Sequence, residues 1–208
     1  LQLWVAENVP GSDVGWVPYP TSLRIVNWVK WSLSGHKLPD DCLQSLAVQT
    51  RWLAKNIEWH ILGNHLFANA KALVFAGLFF EGVEAQNWLD TGLEIISDEI
   101  AEQVLPDGAH FELSPMYHSI FLEDVLDLIN IFATFDGGVS RTNIERFQKT
   151  AAQMLSWLKG MCHPDAEITF FNDSAHNIAP SPAEISTYAK RLGINHRQSV
   201  LSGKRLSI

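Results

Sequence analysis

One helix predicted near the middle of the chain is apolar around almost its whole circumference. It begins at Gly63 or Asn64. Its apolar positions are Leu66, Phe67, Ala70, Leu73, Val74, Gly77 and Leu78. A helix without a polar face is stable only when neighbours cover it on several sides. The longest apolar run, residues 72–80, is about half of the ~20 residues that a membrane span requires. We therefore predict a buried core helix and no membrane span.

Apolar residues at helical spacing predict further helices on both sides of this core helix. They are expected at 23–33, from Pro39 onward, at 85–104, from 114 or 115 to 135, at 142–159 and, as a short last helix, at 183–192. Residues 1–20, rich in Pro, Gly and Trp, predict an extended lead-in, followed by Thr21 as a helix N-cap. Residues 167–173 predict a short β-like segment. The fold class is therefore all-α, with antiparallel helices forming either a bundle or successive hairpins around a curved layer, and the buried core helix favours two layers.

The charge distribution argues against binding to nucleic acid. The 208-residue chain has a net charge of −8. Between Lys71 and Arg141 it carries acidic residues but neither lysine nor arginine. Proteins that bind nucleic acid irrespective of sequence need clustered cations to neutralise phosphates. We expect no nucleic-acid partner.

The cysteines predict no disulfide, and the N-terminal residues do not resemble a signal peptide. Cys42 and Cys162 lie far apart in apolar, helical surroundings, which indicates buried free thiols and no disulfide framework. The chain begins at Leu1, and its first twenty residues lack the basic and continuously apolar regions of a signal peptide. We expect a processed chain or a piece of a longer one, in which residues 194–208 form a polar tail or the start of a linker.

Polar residues that could perform chemistry cluster where two helices begin. The first cluster spans residues 58–65 and the second spans residues 106–118. The two helices run in the same direction in an antiparallel array, so their starts are expected at one end of it. The free N–H groups of a helix N-terminus favour a bound carboxylate.

Each cluster also has an ordinary structural interpretation. An Asn-His pair at a helix start is often a cap beside a half-buried histidine, Tyr117 is of a type that packs in most proteins, and Asp173 with His176 satisfies backbone groups in a turn. His60 and His65 are five residues apart, whereas two metal ligands on one helical face are four apart. We predict neither a metal site nor a cofactor, since no nucleotide-binding loop or serine-nucleophile motif is found in the sequence.

Three motifs, taken in order, resemble the helical domain of the heparinase II/III-like polysaccharide lyases, which are related to toroidal alginate lyases. They are Trp16 to Trp28, then Gly63-Asn64-His65 with Asn69 one turn later, then Asp107-Gly108 through Glu112 to His118. The resemblance covers about residues 16–173.

The resemblance implies an incomplete (α/α) toroid over residues 21–193, normally followed by a C-terminal β-sandwich domain. It implies a bacterial enzyme, periplasmic or secreted, that cleaves uronic-acid polysaccharides such as glycosaminoglycans by β-elimination. Its partner would be an acidic polysaccharide or oligosaccharide. Removal of the C5 proton of a uronate requires neutralisation of the adjacent carboxylate, which an amide or imidazole donor can provide.

The resemblance also assigns roles to particular residues. Asn64, helped by His65, matches the group that neutralises the carboxylate. Tyr117 matches the base that takes the C5 proton, the acid that protonates the departing oxygen, or both. Four further residues are expected to bind substrate, with Arg24 pairing with a sugar carboxylate. These four are Arg24, Trp59, Glu112 and His118.

Two other functions stay open at the level of the sequence. A carbohydrate-binding toroid without activity would hold sugars on aromatic platforms, for which the candidates are Trp16, Trp28 and Trp59. A toroidal glycoside hydrolase would need two carboxylates roughly 5 to 9.5 Å apart. The candidates for these are Glu58, Asp107 and Glu112.

Overall fold

The computed structural model describes residues 1–135, 138–175 and 177–195. These residues form eight α-helices, one short 3₁₀ helix and no β-strand. The helices are α1 (Gln2–Glu7), α2 (Pro18–Leu33), α3 (Asp40–Lys55), α4 (Gly63–Phe79), α5 (Val83–Gln103), α6 (Pro115–Thr134), α7 (Arg141–Gly160) and α8 (Pro182–Arg191). The predicted all-α class is confirmed, and most predicted helix ends agree with these bounds to within about two residues.

The predicted extended lead-in is wrong. Residues 1–20 contain α1, a 3₁₀ helix at Val14–Trp16 and the first turn of α2. Pro18 and Pro20 do not prevent α2 from starting there, because a first turn needs no backbone N–H donors from its residues. Thr21 is therefore a buried helical residue whose N–H donates to the Val17 carbonyl, and not the predicted N-cap.

The predicted β-like segment at 167–173 is also wrong. It forms only an isolated antiparallel bridge between Cys162 and Ile168. Asn172 and Asp173 then adopt positive φ angles of 41° and 57°, a left-handed conformation that ends any extended run. The predicted turn at Asp173 and His176 includes His176, which lies outside the described residues, as do residues 196–208 of the predicted tail.

The described residues fall into two compact units. The first comprises Leu1–Gln103 with Thr134–Gly138, and α4 lies at its centre, packed against α2, α3 and α5. Residues on every side of α4 are buried from Leu66 to Leu78, as the apolar pattern predicted. The second unit contains the described residues of 104–133 and 139–208, and its α6 packs on α7 through Phe132 and Phe147, whose rings are 5.2 Å apart.

Neither cysteine forms a disulfide. Cys42 is buried, as predicted, whereas Cys162 is only partly buried. Burial raises the pKa of both thiols above the usual value, which keeps them protonated and unreactive at neutral pH. Among the described residues, no helix combines the length and apolar character required to cross a membrane.

The close approach of α4 and α5 depends on two glycines. A Cβ atom placed on Gly77 would lie 2.6 Å from the Leu89 backbone nitrogen. One placed on Gly92 would lie 2.7 Å from the Ala70 carbonyl oxygen. These neighbours are backbone atoms and cannot move aside cheaply.

We expect Gly92→Ala to lower the free energy of unfolding by about 1–3 kcal/mol, because the added methyl group forces the two helices apart. Chemical denaturation measures this change. Gly160→Ala is the matched control, since Gly160 is helical and a Cβ there meets nothing within 4 Å. Equal stability of the two variants would contradict the close packing.

Candidate active site

The start of α4 is strained and has no side-chain cap. Leu62, at the N-cap position, has φ 61° and ψ −166°, a combination found almost only in glycine that costs about 1–3 kcal/mol. Such strain persists where surrounding contacts impose it, and it is concentrated at functional sites. Asn64 follows in the first turn, half-buried, where the N–H groups of the helix start are left without a capping side chain. This is a suitable place for a bound carboxylate.

A buried carboxylate lies behind this helix start. Glu58, in the irregular turn before α4, is 4% exposed. Its Oε1 lies 3.2 Å from Nδ1 of His65, and its Oε2 accepts a hydrogen bond of 3.1 Å from the Asn69 amide. The Asn69 oxygen in turn accepts the Glu58 backbone N–H at 2.9 Å. The amide also donates to Ser22 Oγ on α2 at 3.0 Å.

These contacts hold the His65 imidazole in one orientation. With Glu58 as a carboxylate, which only accepts hydrogen bonds, this contact requires the hydrogen of His65 to be on Nδ1. The Tyr19 ring stacks on the imidazole with centroids 4.5 Å apart. The His65 side chain is 40% exposed, and no described residue hydrogen-bonds its Nε2. Nε2 is therefore the atom that His65 presents to a ligand.

Only one of the three candidate sugar platforms is available. Trp59, in the turn before α4, is 56% exposed. Trp16 and Trp28 are buried and pack edge-on or tilted against Trp4 and Trp52. Trp16 and Trp28 are core residues and do not fit the alternative in which they hold sugars, because neither ring offers a face to solvent.

Arg24 does not fit its predicted role in binding a sugar carboxylate. Its guanidinium donates to the Gly15 carbonyl at 2.8 Å, to Gln49 Oε1 at 2.7 Å and to Thr21 Oγ1 at 3.2 Å. It also lies 3.8 Å from the centroid of the Trp4 ring. Burial lowers its pKa to about 10. The fork that would hold a carboxylate is thus occupied by groups of the protein, and Arg24 anchors the N-terminal residues on α2.

The second cluster lies at the start of α6, in the other unit. The Tyr117 backbone N–H donates to Ser114 Oγ at 3.4 Å, so Ser114 caps the helix. Ser174 braces the same turn, since its Oγ lies 2.9 Å from Ser114 Oγ and accepts the Met116 N–H at 3.3 Å. Tyr117 is half-buried, and no described residue hydrogen-bonds its phenol. The phenol is therefore available for proton transfer.

Glu112 lies just before this turn and is partly exposed. The Asn172 amide holds its backbone by donating to the Glu112 carbonyl at 3.2 Å. Burial, and secondarily the charge of Asp173, raises the pKa of the Glu112 carboxyl. Its side chain can face a ligand, so its predicted role in substrate binding stays a prediction.

His118 does not fit the predicted role in substrate binding, because its side chain is fully buried. Its Nδ1 accepts the His110 backbone N–H at 3.2 Å, and its Nε2 lies 3.0 Å from the Met154 carbonyl oxygen. The ring also packs on Trp157. Both nitrogens therefore bind backbone, and His118 joins α6 to α7.

Five candidate side chains are at least partly exposed, and their predicted roles stay predictions: Trp59, Asn64, His65, Glu112 and Tyr117. Sequence reasoning missed the carboxylate partner of His65, since Glu58 was considered only as a hydrolase acid. The irregular turn between Glu58 and His65 breaks any helical spacing that would have revealed the contact. In the described part of the chain, no group of three or more His, Cys, Asp or Glu side chains could hold a metal ion.

The expected meeting of the two helix starts stays a prediction, since Asn64 and Tyr117 lie in different compact units.

Comparison with known proteins identifies the family of this chain. Residues 7–192 match the family described as Heparinase II/III N-terminus. The chain belongs to this family. The match includes both helix starts.

The sequence relatives are bacterial heparin-sulfate lyases. The protein of this name from Pedobacter heparinus is 34% identical over 118 residues, which is 54% of this chain and 17% of that protein. The one from Bacteroides thetaiotaomicron is 37% identical over 70 residues, which is 33% of this chain and 10% of that protein. The chain thus spans a small part of these relatives' length.

Solved structures agree with the fold. A crystal structure of heparinase III superposes with a TM-score of 0.71 at 21% identity, over 93% of this chain and 31% of the other. Heparan sulfate lyase HepC from Pedobacter heparinus gives 0.64 at 24% identity, over 91% and 31%. These likenesses confirm the predicted fold class, a fragment of an α-helical toroid.

We expect acid to weaken the second unit through His110 and His118. Burial lowers the pKa of each to about 4, well below the usual 6.5. As the pH falls, these two imidazoles are therefore protonated in the unfolded chain before they are protonated in the folded protein. The contribution of these two histidines to the free energy of unfolding is fully present above about pH 6.5. It declines toward pH 4, by up to about 3 kcal/mol per imidazole.

Denaturation between pH 7 and pH 4 tests this expectation. His118→Gln should reduce the slope of unfolding free energy against pH by about one proton. His163→Gln is the control, because His163 is exposed in the same unit. An unchanged slope in His118→Gln would show that His118 is not held neutral.

Proposed function

We propose that this chain is the N-terminal helical part of a polysaccharide lyase that cleaves a heparan-sulfate-type polymer by β-elimination. The observation that carries the proposal is the start of α4, where His65 presents Nε2 beside Asn64 at an uncapped and strained helix N-terminus. Family membership and the names of the bacterial relatives support it.

The groups at this helix start suit the difficult step of the reaction. The C5 proton of a uronate is only weakly acidic, because its removal pushes further negative charge onto a carboxylate that is already negative. Hydrogen-bond donors on that carboxylate stabilise the developing charge. The Asn64 amide, the N–H groups of the first turn and Nε2 of His65 when protonated are such donors, and Trp59 offers a face for a sugar ring.

Tyr117 supplies the proton transfers in this proposal. Its phenolate takes the C5 proton, the C4–C5 double bond forms, the C4–O bond breaks, and the departing oxygen receives a proton. The same tyrosine or a group from elsewhere in the protein delivers that proton. The capped and braced turn at Ser114 fixes the backbone from which Tyr117 projects.

The remaining parts of the proposal come from the family. The complete protein would include a C-terminal β-sandwich domain that contributes further substrate contacts. A polymer substrate of this size is met outside the bacterial cytoplasm, so we propose a periplasmic or secreted location. The ligand would be an acidic polysaccharide or its oligosaccharides.

We expect Tyr117→Phe, introduced into the complete protein, to lower turnover of heparan sulfate at least about a hundredfold, because proton transfer is lost. The ultraviolet absorbance of the unsaturated uronate product measures turnover. Circular dichroism should show unchanged helix content, since only the phenolic oxygen is removed.

Tyr188→Phe is the matched control. Its phenol hydrogen-bonds Asp127 and Asn130 on α6, where it serves packing between helices. This variant should keep turnover near the parent value. Parent-level turnover in Tyr117→Phe would remove the proposed role of Tyr117.

A further inference from the structure

Glu58 is a buried acid with a specific set of partners. Each carboxylate oxygen meets one side chain, His65 at Oε1 and Asn69 at Oε2. A buried carboxylate without such partners would cost several kcal/mol. Its burial beside the partly exposed His65 imidazole is therefore stabilised by these specific hydrogen bonds.

The carboxylate itself is held from behind. Asn69 is fully buried and binds Glu58 twice, once through its amide nitrogen and once through its oxygen. Ser22 accepts the second amide hydrogen, and the Ser22 hydroxyl donates to the Pro18 carbonyl at 2.9 Å. This chain of bonds leaves Oε1 of Glu58 aimed at His65.

The consequence for His65 concerns its two nitrogens. In solution, a neutral imidazole can carry its hydrogen on either nitrogen. The contact with Glu58 requires the hydrogen on Nδ1. In the protonated ring both nitrogens carry a hydrogen, so Nδ1 keeps its bond to Glu58 while Nε2 can donate to a ligand.

We propose that Glu58 is a positioning residue that fixes the hydrogen of His65 on Nδ1 and thereby turns Nε2 toward the substrate carboxylate, to which Nε2 donates once the ring is protonated. This inference rests on the proposed lyase function. Tyr19 assists by stacking on one ring face, which limits rotation of the imidazole. Glu58 itself touches no substrate, since it is buried behind the ring.

The first test is spectroscopic and needs no activity. The complete protein is labelled with ring ¹⁵N histidine and examined at about pH 9, above the ordinary range of histidine titration. His65→Gln identifies the signals of His65. The parent should show a protonated Nδ1 and an unprotonated Nε2, and Glu58→Met should shift the population toward hydrogen on Nε2. Glu58→Gln should largely restore the parent state, because its amide oxygen can still accept from Nδ1.

The second test is kinetic. Glu58→Met should lower kcat about a hundredfold, as a misdirected catalytic group does, with a much smaller change in KM. In a protein that already carries His65→Gln, the same substitution should lower kcat no further. Glu99→Met is the matched control, since Glu99 is a buried glutamate bonded to Gln103 on α5. It should change stability and leave both kcat and the His65 tautomer as in the parent.

Two results would overturn the inference. One is hydrogen on Nε2 of His65 in the parent protein, which requires only the His65→Gln variant to identify the signals. The other is an equal loss of kcat from Glu58→Met with and without His65. A parent that makes no unsaturated product contradicts the proposed function instead, and the tautomer measurement still decides whether Glu58 orients His65.

Discussion

The candidate site in the first unit depends on one buried amide. Asn69 lies within the apolar helix α4, where a polar group is costly unless it is hydrogen-bonded. Its bonds to Glu58 and Ser22 satisfy it and join α2, the turn before α4 and α4 itself. Because that turn is held in place, Leu62 keeps its strained backbone and the first turn of α4 stays open. A hydrogen-bonded amide within the apolar helix α4 thus fixes the geometry of the polar first turn of the same helix.

The same principle holds at the start of α6, which is braced by an irregular loop. Ser174 and Asn172 hydrogen-bond the residues that precede and begin α6. Asn172 belongs to the segment predicted to be β-like and Ser174 follows it directly. Asn172 has a positive φ, and its amide donates to the Glu112 carbonyl. In each unit, the side chain available for chemistry projects from a helix start, and a non-helical segment contributes groups that brace this start.

Local sequence signals predicted most helices and the positions of Asn64, His65 and Tyr117 within them. Periodicity, prolines and glycines act over a few residues, so they place helix starts well. They failed at residues 1–20, where the buried Trp16 packs against Trp4 and Trp52 and stabilises helices that composition alone disfavours. They also failed for Arg24 and His118, whose partners lie many residues away at Gln49 and Met154. A side chain that anchors two segments and one that binds substrate look alike in sequence, and only burial separates them.

The type of bond cleavage tests the central claim most directly. A heparan sulfate oligosaccharide of defined length would be digested by the complete protein in ¹⁸O-labelled water, and the products would be weighed by mass spectrometry. The account predicts fragments whose masses sum to that of the parent, with a double bond on the new non-reducing end and no ¹⁸O gained in the cleavage step. Fragments that together contain one added molecule of labelled water would show hydrolysis and contradict β-elimination.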